Sequence, residues 1–171
     1  LFFKTFKKQL EEMTDKSNLP QKEDGCKYIV YTGKMYEKFG VKDLLDAFES
    51  IEDSSLRLLL CGSGDLNKYI CELGRKDKRI IYKGQVTPEE SLSWVKSADL
   101  LVNPRKDEGE YTKYSFPSKN IEYLLSGNPV LAYKLAGMSD NYKYFIFEIK
   151  SSISKAMSES LESKKDNSKF L

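Results

Sequence analysis

Residues 27–62, KYIVYTGKMYEKFGVKDLLDAFESIEDSSLRLLLCG, hold one complete strand–turn–helix–strand unit. KYIVYTG, 27–33, is a short β-rich run that stops at Gly33. VKDLLDAFESI, 41–51, sets Val41, Leu44, Leu45, Phe48 and Ile51 on one face at helical spacing. LRLLLCG, 56–62, is almost continuously apolar, as a strand covered on both faces must be.

The same alternation continues downstream. Leu66, Tyr69, Ile70 and Leu73 share one side of a helix running to residue 73, and RIIYKG, 79–84, gives a third strand. Thr87-Pro88-Glu89-Glu90 is a helix start, with Thr as N-cap, Pro in the first turn and Glu closing a capping box. That helix runs to about Ser97, and DLLVNP, 99–104, forms a fourth strand ended by proline. A charged loop leads to a helix over roughly 117–126, with Gly127 at its C-cap. PVLAYK, 129–134, is a fifth strand and YFIFEI, 144–149, a candidate sixth, followed by an amphipathic helix to about Ser163. This order predicts an α/β, Rossmann-like, doubly wound and mostly parallel sheet of five or six strands with right-handed crossovers. Ligands in such sheets bind beyond the carboxyl ends of the strands. The loops after Thr32, Cys61, Gly84, Asn103 and Tyr133 are therefore the ones to watch.

The expected organisation is one domain over 25–163, a linker or terminal segment over 1–24 and a frayed tail over 164–171. The chain begins with Leu rather than Met, as a piece of a longer protein would. With 28 basic against 26 acidic residues the net charge is +2. That balance gives no nucleic-acid or membrane footprint for the chain as a whole. Three cysteines, Cys26, Cys61 and Cys71, show no metal spacing, which fits a reducing compartment. There is no histidine, so Ser-His-Asp or Cys-His catalysis and His-ligated metals are excluded from this chain alone. No apolar run approaches the roughly 20 residues that span a bilayer.

The segment 104–130, PRKDEGEYTKYSFPSKNIEYLLSGNPV, carries the strongest chemical signal. Ser115 to Lys119 would form a helix amino terminus, whose free N–H groups and positive dipole end attract an anion. Glu122, one turn on, could accept hydrogen bonds from a sugar diol. The same residues also read as an ordinary capped helix with a solvated lysine and glutamate. Gly62 and Gly64 mark a tight strand-to-helix turn, which needs glycine with or without a ligand. Trp94 belongs to an apolar helical pattern and reads as core. Asp107, Glu108 and Glu110 resemble a metal cluster but read more simply as solvated loop charges.

The run TKYSFPSKNIEYLLSGNPVLAYKL, 112–135, strongly resembles the carboxy-terminal domain of family 4 retaining glycosyltransferases of the GT-B fold. It is most similar to the bacterial branch that builds capsular, exopolysaccharide or O-antigen chains. YTGKMYEKFGVKDLLDAF, LRLLLCGSGD and RIIYKGQVTPEESLSWVKSADLLVNPR extend the resemblance over about 27–150, in the family's order. The resemblance implies that Glu122 binds the nucleotide ribose. The amides of Ser115, Phe116 and Ser118 would face the diphosphate, together with Lys119. Gly33, Lys34 and Lys38 would lie at the phosphates, Gln85 and Val86 at the base, and Arg105 at phosphate or sugar. Lys34 stands where the family often has arginine, and a lysine neutralises phosphate without arginine's bidentate fork. Tyr114 stands where the family has a glutamate that contacts the donor sugar.

These expectations describe a donor-binding domain that moves sugar, with retention, from a UDP- or GDP-type nucleotide sugar to a polysaccharide or lipid-linked acceptor. No cofactor or metal is implied, and no catalytic residue is assigned. The implied partners are the nucleotide sugar and an amino-terminal acceptor domain of the same protein. The implied location is the cytoplasm, or the inner membrane face if the full-length protein associates there peripherally. A GT-B-like nucleotide-sugar epimerase and a non-catalytic doubly wound nucleotide-binding module are the alternatives.

Overall fold

The computed structural model describes residues 19–106, 118–134 and 145–163. Six strands form one sheet: β1 (Lys27–Thr32), β2 (Leu56–Cys61), β3 (Ile80–Gly84), β4 (Leu100–Asn103), β5 (Val130–Ala132) and β6 (Ile146–Glu148). Their order is β3-β2-β1-β4-β5-β6, and every neighbouring pair is parallel. The expected "mostly parallel" sheet is thus wholly parallel among the described strands, and the candidate sixth strand is present.

The helices are α1 (Val41–Glu49), α2 (Asn67–Lys76), α3 (Pro88–Ser97), α4 (Ser118–Leu125) and α5 (Ile153–Glu162), with a 3-10 turn at Glu37–Phe39. Strand alternation sends side chains to both faces, and each face has its own core. On one, Ile29, Leu58, Leu60 and Leu100 pack with Leu44, Leu45 and Phe48 of α1, Ile70 of α2 and Met157 of α5. On the other, Tyr28, Val30, Leu59 and Leu101 pack with Leu92, Trp94 and Val95 of α3 and Ile121 and Leu124 of α4. This two-sided burial is why the strands are continuous apolar runs. Trp94 is core, as its sequence context indicates, and stacks on Tyr28 at 5.9 Å between ring centroids.

One detail differs from the sequence reading. The helix after β2 begins at Asn67, because residues 63–66 are tied to the loop after β1. Met35 N–H donates to Ser63 O at 3.0 Å and Leu66 N–H to Met35 O at 3.0 Å. At the amino-terminal side, Lys22 Nζ donates to Asp99 Oδ2 at 2.7 Å and Arg57 pairs with Glu23 at 2.6 Å. The last residues before β1 therefore lie against the sheet's amino-terminal edge.

The chain steps outward from β1 through β2 to β3, then returns to the other side of β1 with β4. That reversal opens a switch point between the carboxyl ends of β1 and β4, where doubly wound sheets bind ligands.

Candidate functional site

Three loop starts meet over the carboxyl ends of β1, β2 and β3 almost without side chains between them. Gly33 N–H donates to Cys61 O at 2.9 Å, and Gly62 N–H to Gly84 O at 2.7 Å. Gly62 has φ +132°, and a Cβ there would stand 1.7 Å from Gly33 O. A Cβ on Gly64 would stand 2.5 Å from Met35 O. Both glycines of the Gly-x-Gly turn are thus required by the packing of one backbone on another.

Over this floor lies a cleft of about 430 Å³ that reaches Gln85, Val86 and the start of α3. A second cleft, of about 320 Å³, extends toward β4 and is lined by Phe39, Asn103, Arg105 and Ser118. Thr32, Gly33, Lys34 and Lys119 line both, so the two meet at the switch point. Lysine and arginine supply all the formal charge, since no carboxylate is among the described lining residues. Lys34 and Lys119 face each other where the clefts meet, and Lys119 is also paired with Glu122 at 3.0 Å.

Helix α4 forms the opposite wall. Lys119 Nζ donates to Glu122 Oε2 at 3.0 Å and to Thr32 Oγ1 at 3.3 Å. Asn120 Oδ1 accepts from Asn103 Nδ2 at 2.6 Å, a buried amide pair that ties α4 to the end of β4. Tyr123 is fully buried, and its hydroxyl accepts from Thr32 N–H at 2.9 Å. Burial raises the Tyr123 phenol well above its ordinary pKa, which keeps it protonated and able to donate. On the floor, burial pushes the Cys61 thiol up to about 12. Burial also raises the Tyr31 phenol, whose hydroxyl donates to Lys34 O at 3.0 Å.

Of the residues singled out in the sequence, Gly33, Lys34, Gln85, Val86, Arg105, Ser118 and Lys119 converge on the two clefts. Glu122 is not among the residues lining either cleft; its carboxylate pairs with Lys119, which lines both. Lys38 also lines neither, with its ammonium 5.3 Å from the centre of the Phe39 ring and 5.6 Å from that of Tyr36. Arg105 covers the same Phe39 ring at 5.5 Å while reaching the second cleft. Ser115, Phe116, Tyr114 and the acidic cluster Asp107, Glu108 and Glu110 lie outside the described residues. Among the described residues, no group of three or more His, Cys, Asp or Glu could hold a metal ion. The sequence reading missed Tyr123, Asn103 and Asn120. Each is a polar group in a buried stretch, and only its partner on another element marks it out.

Fold and clefts together define a doubly wound α/β domain with two joined clefts, lined by lysine and arginine, at its switch point. Residues 26–163 match the glycosyl transferases group 1 family, and the chain belongs to it. It is 27% identical over 152 residues to TuaC of Bacillus subtilis (strain 168), a glycosyltransferase assigned to teichuronic acid biosynthesis. That match covers 88% of this chain and 35% of TuaC, so the chain spans about a third of that relative's length. The carboxy-terminal domain of LpcC, a group 1 glycosyltransferase from Francisella tularensis, superposes with a TM-score of 0.60 at 19% identity. The superposition covers 89% of this chain and 82% of that domain. Anabaena HepE, solved in complex with UDP and glucose, gives a TM-score of 0.58 at 16% identity over 80% of this chain and 38% of its own. The fold is that of the carboxy-terminal half of GT-B enzymes. No described helix is long and apolar enough to cross a membrane.

Proposed function

We propose that this domain binds the nucleoside-diphosphate sugar of a retaining, family 4-type glycosyltransferase of bacterial surface-polysaccharide or glycolipid synthesis. The observation that carries the reading is the meeting of two clefts at Gly33, Lys34 and Lys119, with cations and no described carboxylate lining them. The base lies in the larger cleft against Gln85 and Val86, and the diphosphate lies where the clefts join. The sugar extends toward Arg105. Glu122 takes the ribose hydroxyls, exchanging part of its bond to Lys119 for them. Anabaena HepE, of the same fold, holds UDP and glucose, which supports a UDP- or GDP-type donor.

Catalysis by this half is electrostatic. Lys34, Lys119 and the α4 amides stabilise charge growing on the departing diphosphate. The acceptor and any proton-transfer group come from another domain of the parent protein, which acts in the cytoplasm or at the inner membrane face. The 171-residue chain alone binds nucleotide and transfers no sugar.

A thermal-shift panel of UDP, GDP and a flavin nucleotide tests this. One nucleoside diphosphate should raise Tm; at a hundredfold excess over Kd the stabilisation is about 2.7 kcal/mol. Glu122→Ala should lose most of that gain. If no nucleoside diphosphate stabilises either form, the donor-site reading is wrong.

A further inference from the structure

The backbone of β1 outruns its partner at the switch point. β1 pairs with β4 only at Ile29–Leu100 and Val30–Leu101. On the other side it stays paired with β2 through Thr32–Cys61. Gly33 N–H turns toward β2 and bonds Cys61 O, so Thr32, one residue earlier, aims its N–H and C=O at the opening beside β4. Thr32 is 1% exposed, and buried backbone groups of this kind must find partners.

Both find the same one. The Tyr123 hydroxyl accepts from Thr32 N–H at 2.9 Å and lies 3.3 Å from Thr32 O, to which it donates. Thr32 Oγ1 stands 3.3 Å from the same oxygen. A phenylalanine would fill the apolar space, so the hydroxyl's role is to join β1 to α4. Lys119 and Asn120 sit on the same helix and reach Thr32 and Asn103, so α4 bridges the open ends of both strands.

We propose that Tyr123 is a positioning residue of the donor cleft. Its hydroxyl fixes the Thr32–Gly33–Lys34 turn at a set distance from Ser118 and Lys119 on α4, and so sets the fit to a diphosphate. This rests on the donor-site reading above. Gly33 and Lys34 form one wall of the junction between the clefts, and Lys119 the other. Tyr123 touches no ligand in this arrangement. The base end of the larger cleft, at Gln85 and Val86, belongs to the β3–α3 connection, and the hydrogen bonds of the Tyr123 hydroxyl go to Thr32 rather than to it.

Calorimetric titration of the chain and of Tyr123→Phe separates this role from general stabilisation. The titrants are UDP, GDP and the matching monophosphates. The diphosphate that binds the wild type should bind Tyr123→Phe about tenfold more weakly, with monophosphate affinity changed by no more than about twofold. Equal loss for both ligands, or no loss for either, overturns the proposal while leaving the donor site standing. Absence of diphosphate binding by the wild type overturns the donor-site reading and this proposal with it. If Tyr123→Phe does not fold, amide exchange in the wild type decides. Thr32 N–H should exchange as slowly as Val30 and slow further with diphosphate but not with monophosphate; fast exchange at Thr32 overturns the proposal.

Discussion

The two walls of the cleft are built by opposite means. On the β2–β3 side, backbone lies against backbone, and the contact at Gly62 leaves no room for a Cβ. On the α4 side, long-range side-chain bonds do the joining, through Lys119, Asn120 and Tyr123. At Gly62 and Gly64 the first wall has no room for an added atom. The second can lose one bond at a time. Substitutions on the glycine wall should therefore act on folding as a whole, whereas those on the helix wall should act one bond at a time, on stability where the bond is buried and on binding where the side chain lines the cleft.

The sharpest way to break that contrast is Gly62→Ala. Its Cβ would meet Gly33 O at a φ of +132°, and the expected loss is about 3 kcal/mol of stability, measured by urea unfolding. A near-neutral result would show that the wall yields. Asn120→Leu removes the acceptor of the 2.6 Å bond from Asn103. It should cost about 2 kcal/mol, because a buried amide donor is left without that partner. Lys119→Ala should leave stability within about 1 kcal/mol, since its ion pair with Glu122 is part-exposed. It should nevertheless weaken nucleoside-diphosphate binding about tenfold, an effect that shrinks as salt is raised.

The smallest effect concerns Cys61 on the glycine wall. Its folded-state pKa is pushed up to about 12 from an ordinary 9.0, so burial of the neutral thiol favours folding below pH 9. That contribution fades as pH rises from 9 toward 12. Relative to Cys61→Ala, the wild type should lose on the order of 1 kcal/mol between pH 9 and 10. At neutral pH a thiol reagent should modify exposed Cys71 well before buried Cys61.

The same contrast explains what could be read in advance. Apolar runs and helical spacing announced the alternating elements, because two-sided burial leaves a strong pattern. Gly62 and Gly64 were visible as a turn, and the carbonyls of Gly33 and Met35 supply the reason for them. Arg105, Ser118 and Lys119 stood out by position, just past a strand end or at a helix start, whereas Lys34 and Gln85 were singled out through the family resemblance. Lys38 was not separable from Lys34 by position, and only the folded turn sends it over Tyr36 and Phe39. Tyr123 was invisible because a tyrosine between Glu122 and Leu124 matches the apolar face of a helix. Its meaning depends on a backbone 91 residues away, and no local pattern carries that.

The most direct test of the donor cleft is amide shift mapping of the chain by NMR during titration with UDP and with GDP. One of the two should produce saturable shifts grouped at Thr32–Lys34, Gln85–Val86 and Ser118–Glu122, with the amino-terminal ends of the strands unmoved. Saturable shifts confined to those amino-terminal ends, or none with either nucleotide, would contradict it.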